Sequence, residues 1–167
     1  FWGAPVDDPQ HARNGVLAGL QMLGECEVLN AKFAARGWPP LRIGVGVNTG
    51  SVRVGDMGSS VRRAYTAMGD AVNVASRLEG RTRYYGVGML AGEATRNAAT
   101  GILFREVDRI RVKGKEAAVT VYEPIGPEAG VGATRREELR IWDDALRAYR
   151  AQAWDEADAK LRALQAT

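Results

Sequence analysis

The strongest constraint on this chain is a pair of adjoining patterns: a long helical stripe and, directly after it, the glycine-punctuated alternation LRIGVGVNTG at residues 41 to 50. Asp7, Asp8 and Pro9 supply turn and helix-start chemistry, and Val16, Leu17, Leu20, Leu23, Val28 and Ala31 then fall on one side of a helical wheel, predicting an amphipathic helix over 9–36. Gly37 ends it, with Trp38-Pro39-Pro40 behind. In the alternating stretch Ile43, Val45 and Val47 share one face, as in a half-buried strand. A helix of that length feeding a strand with one apolar face calls for a layered α/β core.

Asn48-Thr49-Gly50-Ser51 has the composition of a hairpin turn, which would make VRVGDM (52–57) the partner strand. Gly58-Ser59-Ser60 opens a polar loop containing Arg62 and Arg63, and from Gly69-Asp70 the pattern is helical through Leu78. A strand (86–90), a short helix (93–98) and two strands (103–112 and 118–122) flanking Lys113-Gly114-Lys115 complete a mixed α/β domain with a largely antiparallel sheet. Residues 125–133 hold Pro127 and three glycines without a helical stripe and read as a linker. Beyond it, Leu139, Trp142, Leu146 and Tyr149, then Trp154, Ala157, Leu161 and Leu164, recur at helical spacing, predicting a helical hairpin over 134–167 that resembles a tetratricopeptide helix pair. The chain opens on FWGAPVDDP without a methionine, which looks like the end of a strand entered from upstream.

Charge narrows the function. Lys and Arg total 23 against 20 Asp and Glu, a formal net charge of +3, too little for wholesale wrapping of nucleic acid. The 134–167 tail carries seven basic and seven acidic residues, so the excess belongs to the rest of the chain. Cys26 is the one cysteine and cannot form an internal disulfide, which fits a reducing compartment such as the cytoplasm, or a fold that needs no staples, and a buried apolar role. With 46% apolar residues the chain can build a core, yet no apolar run is long enough to span a bilayer.

Two places could carry chemistry. In GDAVNVASRLE, Asp70 can cap a helix whose packed side is Ala71, Val74, Ala75 and Leu78, which leaves Asn73 and Arg77 four residues apart on one face. An amide beside a guanidinium suits charge developing on a phosphoryl oxygen near a ribose oxygen, although a solvated helix face has the same spacing. Lys113, between two strands, can point a compact charge at a phosphate or simply solubilise a hairpin. GVGVNTG lacks the Gly-Lys-Ser/Thr ending of a phosphate-binding loop, and His11 has no Cys or His at ligand spacing.

Taken together, FWGAP, RIGVGVNTG, VGDMGS, YTAMGDAVNVASRLE and VKGK, in this order over residues 1 to 124, resemble the catalytic domain of the class III nucleotidyl cyclases. The resemblance implies a ferredoxin-like α/β core that forms a homodimer head to tail, with active sites in the cleft between protomers. It implies that Asn73 orients the ribose, that Arg77 stabilises the transition state at the α-phosphorus, and that Lys113 holds the terminal phosphates. The reaction it implies is attack of the ribose 3′-hydroxyl on the α-phosphorus of ATP, giving 3′,5′-cyclic AMP and pyrophosphate in signal transduction.

Base choice in the family is read partly seven positions before the Asn, where this chain has Thr66; Thr is similar to the adenylate cyclase branch, whereas guanylate cyclases more often carry Cys. Two metal ions, Mg or Mn, are implied as cofactors. Their aspartates, the base-reading lysine, two core strands and a helix are expected upstream of Phe1, and Asp7, Asp8, Asp56 and Asp70 do not match the metal positions, so these residues alone should be inactive. Any membrane attachment would come from upstream regions. The alternatives are a guanylate cyclase and a non-catalytic cyclase-like module that serves as a regulatory dimer partner.

Overall fold

Side chains alternate across the central strands so that each face of one sheet receives a different helix. The computed structural model describes residues 1–58, 63–110 and 118–165. In chain order these form α1 (His11–Ala34), β1 (Val45–Val47), β2 (Arg53–Gly58), β3 (Arg63–Met68), α2 (Asp70–Tyr85), β4 (Met89–Gly92), α3 (Glu93–Ala98), β5 (Ile102–Ile110) and β6 (Val119–Pro127). A 3₁₀ turn at Glu128–Gly130 precedes α4 (Ala133–Arg150) and α5 (Trp154–Gln165). The chain divides into two compact units, Phe1–Gly126 and Pro127–Thr167.

The first unit is mixed α/β. Its four-stranded sheet has the order β1-β4-β6-β5, with β1 parallel and β6 antiparallel to β4, and β2 and β3 form a separate antiparallel pair. On one face, Val45 and Val47 of β1 and Met89 of β4 pack with Ala12, Val16, Leu17, Leu20 and Leu23 of α1. On the other, Leu90 of β4 and Val121 of β6 pack with Val74 and Leu78 of α2. Met89 and Leu90 are 1% and 0% exposed, so consecutive residues of one strand fill opposite cores, as the two-residue period of a strand requires.

Several expectations change. The hairpin expected at residues 48–51 does not form: β1 pairs with β4 in the register Val45↔Met89, Gly46↔Leu90, Val47↔Ala91, while β2 pairs with β3. The reason is burial, since Met89 to Ala91 form a continuous apolar run that a parallel neighbour and two helices can cover completely. Residues 1–6 form no strand, bending over residues 3–6 with Gly3 at φ 81, and Phe1 instead rests against Tyr65 with ring centroids 5.9 Å apart. Val28, expected on the packed stripe of α1, is 53% exposed, and Ala31 is exposed with it. A helix of this length spans roughly 36 Å, while the strands it crosses have only three and four residues, so its last turns overhang the sheet. There the chain closes back locally: Asn30 donates to Leu41 O and accepts from Leu41 N, both at 2.8 Å, over the buried Cys26.

Helix α2 runs past Leu78 to Tyr85 and ends at Gly86, whose φ of 66 makes it a left-handed cap. The strand expected over 86–90 is displaced to Met89–Gly92, because this cap and the bend behind it occupy its first residues. The stretch read as a linker is taken up by the end of β6, the 3₁₀ turn and the start of α4. In the second unit, α4 and α5 are joined by a tight turn in which Gln152 has φ 61; Leu139, Ala145, Ala148 and Ala157 are buried, whereas Tyr149 and Trp154, members of the expected stripe, are exposed and meet edge to face at 5.4 Å. No helix among the described residues is long and apolar enough to cross a membrane.

Candidate functional site

The glycines of LRIGVGVNTG are what allow α2 to lie directly on β1. A Cβ on Gly46 would fall inside contact distance of Ala75 O and Glu79 N, one on Gly44 would strike Thr82 Oγ1, and one on Gly50 would sit 2.8 Å from Ala71 Cβ. Even-numbered glycines thus face α2 while Val45 and Val47 face α1. The small side chains of Ala71 and Ala75 complete the close approach. At the far end of the helix, the Tyr85 hydroxyl donates to Asp108 Oδ2 of β5 at 2.7 Å.

Between the first turns of α2, the end of β1, the β2–β3 pair and residues 1–15 lies a cleft of about 880 Å³. Thr66, half-buried on β3 and paired with Gly55, lines it together with Asn48, Ala71 and Val72. Asn73 and Arg77 do not line it. At about 100° per residue, they stand on the side of α2 opposite Ala71 and Ala75, and both are exposed, with Val74 and Leu78 buried between the two faces. The structure therefore brings Asn73 and Arg77 together, one turn apart on an outward face, and sets Thr66 apart from them in the cleft. Lys113 lies outside the described residues. His11 is half-buried, and its side chain abuts Gly3.

Of the two aspartates that line the cleft, Asp8 is engaged in fixing local structure. Asp8 accepts from Gln10 N at 2.8 Å and from Asn14 Nδ2 at 2.9 Å, fixing the entry to α1. Among the described residues no group of three or more His, Cys, Asp or Glu side chains could hold a metal ion.

Sequence reading missed Asn48. Its side-chain amide donates to Ala71 O, 3.2 Å away in the first turn of α2, and the carbonyl side of that amide lies where a Cβ on Gly92 would be. Beside it, Thr49 Oγ1 and the fully buried Thr95 Oγ1 share a hydrogen bond of 2.9 Å. The signal was present in the sequence as Asn-Thr-Gly at the end of a strand, but it carries the same letters as a turn.

The tether at the other end of α2 has a pH signature. Burial first, and then the hydrogen bond to the Asp108 carboxylate, push the Tyr85 pKa from 10.0 to about 12. Because the folded value is raised above the unfolded one, the stability this pair contributes is complete below pH 10 and is lost as pH rises toward 12. Tyr85→Phe is expected to cost about 1 kcal/mol at neutral pH and to flatten the decline of stability across that alkaline window. Denaturant unfolding at a series of pH values measures both; a variant whose alkaline decline parallels that of the unsubstituted protein would show that another group titrates.

Comparison with known proteins places this geometry in context. Residues 2–123 match the family model described as adenylate and guanylate cyclase catalytic domain. Adenylate cyclase 1 of Rhizobium meliloti is 38% identical over 135 residues, covering 80% of this chain and 20% of that protein. The crystal structure of an adenylyl cyclase from P. aeruginosa superposes with a TM-score of 0.68 at 31% identity, covering 77% of this chain and 67% of that one. That of a guanylyl cyclase superposes with a TM-score of 0.65 at 29% identity, covering 75% of this chain and 63% of that one. The chain thus spans about a fifth of the length of the Rhizobium relative.

Proposed function

We propose that this chain, which belongs to the family of adenylate and guanylate cyclase catalytic domains, acts as part of an adenylate cyclase that converts ATP to 3′,5′-cyclic AMP and pyrophosphate in the cytoplasm. The observation that carries the reading is the pairing of Asn73 and Arg77 on the outward face of α2, inside the matched segment. The Asn73 amide would hold the ribose, and the Arg77 guanidinium would meet the charge that grows on the α-phosphoryl oxygens as the 3′-hydroxyl attacks and pyrophosphate departs. Lys113 would hold the terminal phosphates. Thr66, whose hydroxyl can both donate and accept, would contact the base edge.

An outward-facing pair needs a second surface to enclose a nucleotide, and a homodimer arranged head to tail supplies one. The Mg or Mn ions of such a reaction would be held by carboxylates; among the described residues no group of three or more His, Cys, Asp or Glu side chains could hold a metal ion. The relatives do not divide the bases cleanly: similar proteins include adenylate and guanylate cyclases. Adenine is the reading favoured by Thr at position 66.

The test is cyclic nucleotide production from Mn-ATP and Mn-GTP by the protein extended upstream through the expected aspartates. The expected result is turnover of ATP at least about tenfold above GTP in kcat/KM, as discrimination resting on hydrogen bonds to a base edge allows. GTP preference would make it a guanylate cyclase. Absence of turnover from a folded dimer would make it a non-catalytic partner.

A further inference from the structure

Helix α2 carries the proposed catalytic pair, yet its N-cap residue is Gly69, which has no side chain to hold the helix start. The φ of Gly69 is 154, and a Cβ there would press within 3.2 Å of Ser51 O, so a capping Ser, Thr, Asp or Asn could not enter without strain. Gly69 cannot hold the first turn with a side chain, and residues 48–50 reach that turn from β1. Asn48 Nδ2 donates to Ala71 O at 3.2 Å, and Gly50 approaches Ala71 Cβ closely. A carbonyl oxygen can only accept, so the amide has one orientation: nitrogen toward α2, oxygen toward Gly92. Asn48 is half-buried at the cleft wall, where loss of this bond would not be made good fully by bulk water. Its foundation is rigid, since Thr49 is tied to the buried Thr95 and β1 is paired with β4.

We propose that Asn48 is a positioning residue for the reaction: its amide fixes the first turn of α2, and through that turn the angle at which Asn73 and Arg77 meet a bound nucleotide. The catalytic half of this statement rests on the cyclase reading above; the mechanical half does not. The turn is held at Ala71, two residues before Asn73, so a small rotation of the helix start displaces the amide and the guanidinium together, and catalysis is sensitive to misplacements of about 1 Å.

Asn48→Asp tests the hydrogen bond at constant shape, because a carboxylate turns an acceptor toward Ala71 O; Asn48→Ala removes the bond without repulsion. In the upstream-extended protein, amide hydrogen exchange over residues 70–77 is expected to accelerate at least about tenfold in both variants, more in Asn48→Asp, while the amides of β4 and β6 keep their protection. kcat is expected to fall at least about tenfold with KM for ATP changed less than about threefold. Unchanged exchange over 70–77, acceleration spread evenly through the domain, or unchanged kcat would each overturn the proposal. If the unsubstituted protein turns over neither ATP nor GTP, the cyclase reading fails, and the exchange result alone then decides whether Asn48 holds the turn.

Discussion

Gly46→Ala is expected to abolish nucleotide turnover and to destabilise the domain by at least about 3 kcal/mol. The added methyl would be driven into the backbone of α2, against Ala75 O and Glu79 N, with Glu79 Cα 3.0 Å away. A flexible side chain could swing aside, but a helix backbone with its own hydrogen bonds cannot. Relief requires α2 to lift from β1 as a body, which strips cover from Val74 and Leu78 on one side of the sheet and carries Asn73 and Arg77 out of place. Gly80→Ala, in the same helix with nothing within 4 Å of the new Cβ, is the matched comparison and should stabilise by up to about 1 kcal/mol. Thermal and denaturant unfolding of the two variants, with turnover measured alongside, separates contact from propensity. Near-equal stabilities would show that β1 and α2 do not touch as described.

The same glycines explain how much of the fold was legible in the sequence. Alternation put Val45 and Val47 on one face correctly, and GDAVNVASRLE announced a helix with Val74 and Leu78 inward, because both patterns report burial of nearby side chains. What Gly44 and Gly46 do could not be read there, since a glycine in a strand marks equally a bulge, a turn or a neighbour's backbone. The hairpin at Asn48 failed for a related reason: turn chemistry is local, while the partner that captures β1 lies more than forty residues on, at Met89. The end of α2 was hidden by Arg81, Thr82 and Arg83, polar residues on an apolar-poor turn, of which Thr82 is nevertheless buried against Gly44 and the others are exposed.

The candidate site divides along the same line. Asn73 and Arg77 were legible as a pair because helical spacing of four residues is a local property, and the structure keeps them on one exposed face. Their separation from the cleft that holds Thr66 was not legible, since it depends on which side of α2 the β1 backbone covers.

That exposed placement gives the second large expectation its clarity. Arg77 projects from the outward side of α2, so truncating it leaves the packed face of the helix, Val74 and Leu78, untouched; stability should change by no more than about 1 kcal/mol, the worth of an exposed polar or ionic contact. Catalytically the loss should be large. A guanidinium that meets charge developing on the α-phosphoryl oxygens interacts more strongly with the transition state than with bound ATP, so Arg77→Ala is expected to lower kcat by roughly 10²- to 10³-fold while KM rises only severalfold. Arg77→Lys keeps the charge without the planar fork and should recover part of kcat, leaving a deficit that reports the geometry rather than the charge. Steady-state kinetics on the upstream-extended protein decide the matter. A raised KM at comparable kcat would move Arg77 from the transition state to ground-state binding, and a parallel loss of thermal stability would assign it to the fold.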